Sequence, residues 1–143
     1  MLLVPAVSHA QALPFVAAET DAASLGTAGA GLVETSSVAD ASFSNAAVIP
    51  FSDNKLDASV GYTMWQPSSS NILNVGVAYN VKSKFGVALG VHYGMNPSYD
   101  VTNESGAVAG VFAPKDIHVN AGLAWRFLPF LSLGANIGYA TSS

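Results

Sequence analysis

The side chains with the means to do chemistry are few: Asp57, His92, Asp116, His118 and Arg126, with Asn120 and Asn136 as neutral polar companions. All seven fall on one parity of segments that alternate large and small residues, so they share one face. His92 and His118 sit toward the same end of neighbouring segments and could approach each other. Two imidazoles without a third ligand make a poor zinc site, so no metal is expected and both histidines read as polar lining. Arg126 has two uses, pairing with a carboxylate or contacting an anionic head group. Pairing is the expectation, because a charge in apolar surroundings finds a partner. No nucleophile, base and orienting group share a hydrolase-like spacing. The chain has no cysteine, which removes thiol catalysis, disulfides and thiolate metal sites. Gly26, Gly29 and Gly31 give G-x-x-G-x-G, but no strand precedes them and no Walker lysine follows, so phosphate binding is not expected. The residues predict neither an enzyme nor a cofactor.

Composition points to what surrounds that face. Of 143 residues 50% are hydrophobic and only 10% charged, against about a quarter charged in soluble domains. Such a chain has little polar material with which to cover a water-facing surface. The net charge of −4 comes from 9 acids and 5 bases with no basic run, so nucleic acid is excluded as a partner.

The elements that must position the polar residues are strands. FGVALGVHYGM, residues 85–95, has glycines at 86, 90 and 94, the spacing of tightly packed membrane helices. Its eleven residues are about half of a spanning helix, and they alternate strictly, so a strand is predicted. Four more segments alternate in the same way, around 56–64, 73–81, 117–127 and 131–140. Each is about ten residues long, which suits a tilted strand crossing a bilayer.

One parity of all five segments is apolar or aromatic throughout. The other holds Gly, Ala, Asn and Ser with an occasional His, Asp or Arg, and eight of the thirteen glycines lie on it. A soluble sandwich would place Lys, Glu and Thr there for water. Small and polar residues facing inward, with lipid outside, fit an antiparallel transmembrane β-barrel. Asp57, His92, His118, Asn120, Arg126 and Asn136 are then lumen-facing, and outer-membrane lipid is the expected partner of the other face. The expected location is the outer membrane of a Gram-negative bacterium. Five strands are odd in number and below the smallest barrel of eight, so the chain is expected to be part of a larger barrel.

Connections alternate in length. Those near Lys82–Lys84 and Leu128–Phe130 are tight, whereas Gln66–Ser70 and the roughly twenty residues of Asn96–Lys115 are longer. Barrels keep short turns on the periplasmic side, which orients the chain. Tyr62, Tyr93 and Tyr139 then lie toward the outer ends, and Tyr79, Phe85, Trp125 and Phe127 toward the periplasmic ends. They form two expected girdles on the lipid face.

The N-terminal third differs in kind. Residues 1–12 look like the end of a signal peptide, an apolar run followed by Ala10-Gln11-Ala12, although the basic region that should precede it is missing. Residues 13–55 are rich in small side chains without sustained alternation, and are expected to form a compact hatch at or in the barrel mouth.

SLGTAGAG (24–31), ADASFSNAA (39–47) and the first alternating strand together resemble the opening of FadL-type outer-membrane proteins and their PorV/PorQ relatives in Bacteroidetes. In those families a glycine-rich segment precedes an acidic-small stretch and an Asn-Pro-Ala motif. Gly26, Gly29, Gly31, Asp40 and Asn45 match that layout, with Ala46 in place of the proline. The resemblance implies a hatch-plugged barrel without bond-making chemistry. A PorV-like member takes part in type IX secretion, and its partners are secretion-system proteins and their cargo. A FadL-like member takes up long-chain fatty acids or other hydrophobic compounds. The hatch layout favours the PorV/PorQ side.

Overall fold

The computed structural model describes residues 25, 26, 28, 33, 37–65, 69–103 and 106–143. The expected signal-peptide end (1–12), Gly29 and Gly31 lie outside the described residues. The alternating segments are strands β1 (Leu56–Trp65), β2 (Ser70–Val81), β3 (Phe85–Met95), β6 (Lys115–Leu128) and β7 (Leu131–Ser142). They form one antiparallel sheet in the order β1-β2-β3-β6-β7. The all-β fold predicted from period-two alternation is therefore the fold observed.

Residues 96–115, read from the sequence as a loop, contain a two-stranded hairpin of their own, β4 (Tyr99–Thr102) and β5 (Val108–Phe112). These strands are only four and five residues long, too short for alternation to declare itself. Tyr99, Val101, Val108, Val111 and Phe112 on it are all at least half exposed.

Register keeps large residues in rows across the sheet. Val60 faces Val75, which faces Val91, which faces Val119. Because the period is two, each row lies wholly on one face of the sheet. The turn between β2 and β3 is closed by the Lys84 N–H donating to the Val81 carbonyl at 3.1 Å. Lys82 and Ser83 at its centre both have φ of 53°, the left-handed pair that a type I′ turn requires.

Residues 37–55 form a second layer on the small-residue face. Asn45 caps a 3-10 helix, Ala46–Phe51, by accepting the Ala47 N–H at 3.1 Å. The hydrophobic core is thin and lies between the layers: Val38, Ala41, Ala46, Val48 and Ile49 against Ala78, Ala88 and Ala124. Also buried with it are Asn74, Asn80, His92, Asp116, His118 and Asn120. Among the described residues no layer covers the large-residue face, and Val60, Leu89, Leu133 and Ile137 are 75%, 64%, 63% and 78% exposed. Among the described residues no helix is long and apolar enough to cross a membrane, which says nothing about strands.

Candidate functional site

The N-terminal layer crosses the sheet from β1 to β7 and turns back, and its docking depends on how bare the sheet is beneath it. A side chain on Gly86 would come within 2.6 Å of Ile49 Cγ2, and one on Gly134 within 2.5 Å of the Ala47 nitrogen. At Gly76 the obstruction would be Asp40, and at Gly90 the ring of Phe43. The glycines that weaken a strand here form a trench that the segment fills.

Polar groups fix the segment along its length. At the β1–β2 side Asp57 Oδ2 accepts the Val38 N–H at 2.7 Å. Asp40 accepts from the Ser59 hydroxyl at 2.8 Å and the Asn74 amide at 3.2 Å. On β7, Asn136 donates to the Ala41 and Ser44 carbonyls at 3.3 and 3.2 Å, and Ser132 donates to the Ala47 carbonyl. Returning to β2, the segment gives the Ser52 carbonyl to the Asn80 amide at 2.8 Å.

At the centre lies a cluster of rings. His92 and His118 are register partners on β3 and β6, with ring centroids 5.8 Å apart. Phe43 descends from the segment and stacks on His92 at 3.7 Å, with its edge toward His118 at 5.4 Å. Ser42 and Asn120 are buried in the same region. Among the described residues no group of three or more His, Cys, Asp or Glu could hold a metal ion. Asp116, two residues along β6 from His118, instead accepts from the Asn96 amide at 2.6 Å. The cluster is suited to packing and hydrogen bonding.

Among the described residues Arg126 is met by carbonyls and not by the carboxylate expected of it. Its guanidinium donates to the carbonyls of Pro50 at 3.4 Å, Leu128 at 3.2 Å and Pro129 at 2.5 Å. It also lies 4.5 Å from the centre of the Phe51 ring. The β6–β7 turn and the end of the 3-10 helix converge there and present free carbonyls, so a five-donor cation ties the two together.

Among the residues singled out in sequence, Asp57, Asp40, Asn45, His92, His118, Asn120, Arg126 and Asn136 all face or belong to this interface. Gly26 does not, being exposed with nothing within 4 Å of where a side chain would start. Phe43, Ser59, Asn74, Asn80 and Ser132 were not singled out. Phe43 had one signal, a lone large ring in a run of small residues. The aromatics sit on the opposite face in two rows. Tyr62 and Tyr93 flank Leu73, and Tyr139 lies one row in, beside Val119. Phe85 pairs with Trp125, with Tyr79 and Phe127 nearby. Trp125 and Phe127 stack at 4.8 Å. Tyr93 is the least exposed of the seven, half-buried where the others are open.

No family model, curated protein or solved structure matches this chain.

Proposed function

We propose that this chain forms the hatch and part of the wall of an outer-membrane β-barrel that takes part, as PorV/PorQ-like proteins do, in type IX secretion or surface delivery of cargo proteins. The observation that carries the reading is the inverted polarity of the sheet. Asn74, His92 and His118 are 2%, 3% and 6% exposed, while Leu89, Trp125 and Ile137 on the other face are 64%, 58% and 78% exposed. In water this arrangement hides the hydratable groups and displays contiguous apolar rows on one face, the kind of patch that marks a membrane or partner surface. In a bilayer the same surface meets hydrocarbon, and each strand has the length a tilted crossing needs.

Two features support an assembly role over a hydrophobic-compound channel. The hatch is docked into the sheet by its own side chains, with Ile49 and Pro50 fully buried and Phe43 filling the space above Gly90. The β4–β5 hairpin displays Tyr99, Val101, Val111 and Phe112 at the long-loop end, where a protein partner would be met.

The test is to express the complete reading frame with its own leader and examine the outer-membrane fraction for heat-modifiable migration. A folded, heat-modifiable species is expected, and a soluble, unmodified product would refute the barrel. In a deletion strain, loss of surface-delivered cargo with intact fatty-acid uptake is expected. The reverse pattern assigns a FadL-like channel instead.

A further inference from the structure

The short-turn end of the sheet gathers most of the chain's positive charge. Four of its five basic residues, Lys55, Lys82, Lys84 and Arg126, are there, and the fifth, Lys115, sits at the far end beside Asp116. Backbone pairing gathers them at one end of four strands, with Lys84 level with Arg126 and Lys55 two residues further in, level with Asn80 and Gly86. The Lys55 carbonyl accepts the Asn80 N–H at 2.8 Å, and the Lys84 carbonyl accepts the Arg126 N–H at 2.8 Å. With neighbouring strands about 4.8 Å apart and a rise of about 3.3 Å per residue, two strands across and two residues along separate Lys55 from Lys84 by about 12 Å. All three lysines are exposed, while Arg126 is occupied by carbonyls. The nearby acids are Asp53, which is exposed, and Asp57, which is held by the Val38 N–H.

Two further observations bear on this group. Lys82 and Ser83 both hold φ of 53° in a turn for which Asn-Gly is the low-strain choice. A lysine there costs stability, and such strain gathers at positions kept for another purpose. On the large-residue face at this end lie Tyr79, Phe85 and Trp125, 46%, 42% and 58% exposed, with Phe127, 50% exposed, one residue beyond Arg126. Cations just beyond an aromatic belt are placed at the depth of lipid head groups.

We infer that Lys55, Lys82 and Lys84 form a cationic rim that binds the anionic phospholipid head groups of the leaflet at the short-turn end. This rests on the barrel reading proposed above, and gives that barrel a lipid preference. Lysine stems are long enough to bend round the strand ends and carry the ammonium groups to phosphate.

The experiment is to refold the complete protein from urea into vesicles of phosphatidylcholine alone, and of phosphatidylcholine with about a third phosphatidylglycerol, and to compare the heat-modifiable yield and competition between them. A preference for anionic vesicles of about fivefold per lysine, on the order of a hundredfold for three, is expected. The variant Lys55→Gln with Lys82→Asn and Lys84→Gln should lose it while still folding into neutral vesicles, since Asn tolerates the left-handed turn better than Lys. The same anionic preference in variant and unmodified protein would overturn the rim alone. So would a preference in the unmodified protein that does not fall as salt rises and the Debye length shortens, a measurement independent of the variant's folding. No heat-modifiable species in either vesicle would overturn the barrel, and the rim with it.

Discussion

Replacing Leu89 by arginine separates lipid from water as the solvent of the large-residue face. Leu89 is 64% exposed and lies on β3 four residues from Phe85 and four from Tyr93, one in each aromatic row. Four residues are about 13 Å along a strand, or about 10 Å of depth once the strand tilts by about 40°. An apolar band about 25 Å tall therefore has its midplane close to Leu89. Its row neighbours Val77 and Ala121 offer no charge or hydrogen bond to an arginine. A lipid-facing arginine at that depth costs about 2–4 kcal/mol, falling to about 0–1 near the interface. Leu89→Arg should thus reduce the folding equilibrium constant in vesicles roughly 30- to 900-fold. Leu131→Arg, on β7 beyond the Trp125–Leu133 row, should have little effect. Urea titrations of the complete protein in lipid vesicles, scored by heat-modifiable migration, give both numbers. If the face met water, both substitutions would be ordinary exposed changes within about 0.5 kcal/mol. Equal, small effects would refute the depth argument and the lipid-facing assignment together.

The glycine trench makes a second prediction. Gly134→Val should loosen the docking of residues 37–55 by about 1–3 kcal/mol, because the new side chain would start 2.5 Å from the Ala47 nitrogen and 3.0 Å from the Ala46 carbonyl carbon. Protease cleavage within residues 37–55 would report the change, and Gly110→Ala, with nothing within 4 Å, should leave cleavage unchanged. Asp40→Ala removes the acceptor shared by the Ser59 hydroxyl and the nearly fully buried Asn74 amide. It should destabilise the same docking by about 1–3 kcal/mol, measured as faster hydrogen exchange at Val38–Phe43, and unchanged exchange would refute the latch. Lys82→Asn with Ser83→Gly relieves two left-handed residues at about 1–2 kcal/mol each. The unfolding midpoint should rise while the preference for anionic vesicles falls; a fall in both would mean that the turn does not carry the strain assigned to it.

The local sequence determined the five long strands and their parity. Alternation has a period of two and needs only neighbouring residues to declare itself, so Leu56–Trp65 and Phe85–Met95 were legible without any partner. Antiparallel order followed for the pairs joined by tight turns, β2–β3 and β6–β7, since short connections leave neighbouring strands little choice. The face on which His92, His118, Asn120 and Arg126 fall was also a matter of parity alone. Hairpin β4–β5 escaped because strands of four and five residues, Tyr99–Thr102 and Val108–Phe112, span only about two periods each.

Tertiary structure alone decided what lies on the small-residue face. Residues 37–55 have no periodicity, so nothing local says where they run. Their contacts join positions far apart in the chain: Asp40 with Asn74 across 34 residues, Arg126 with Pro50 across 76, Asn136 with Ala41 across 95. Arg126 illustrates the difference. Its inward parity was readable, but its partners are carbonyls freed by the end of a 3-10 helix and by a turn, which exist only once both have folded. Phe43 illustrates it again, because the space it fills is the absence of a side chain at Gly90, and only docking brings that absence beneath its ring.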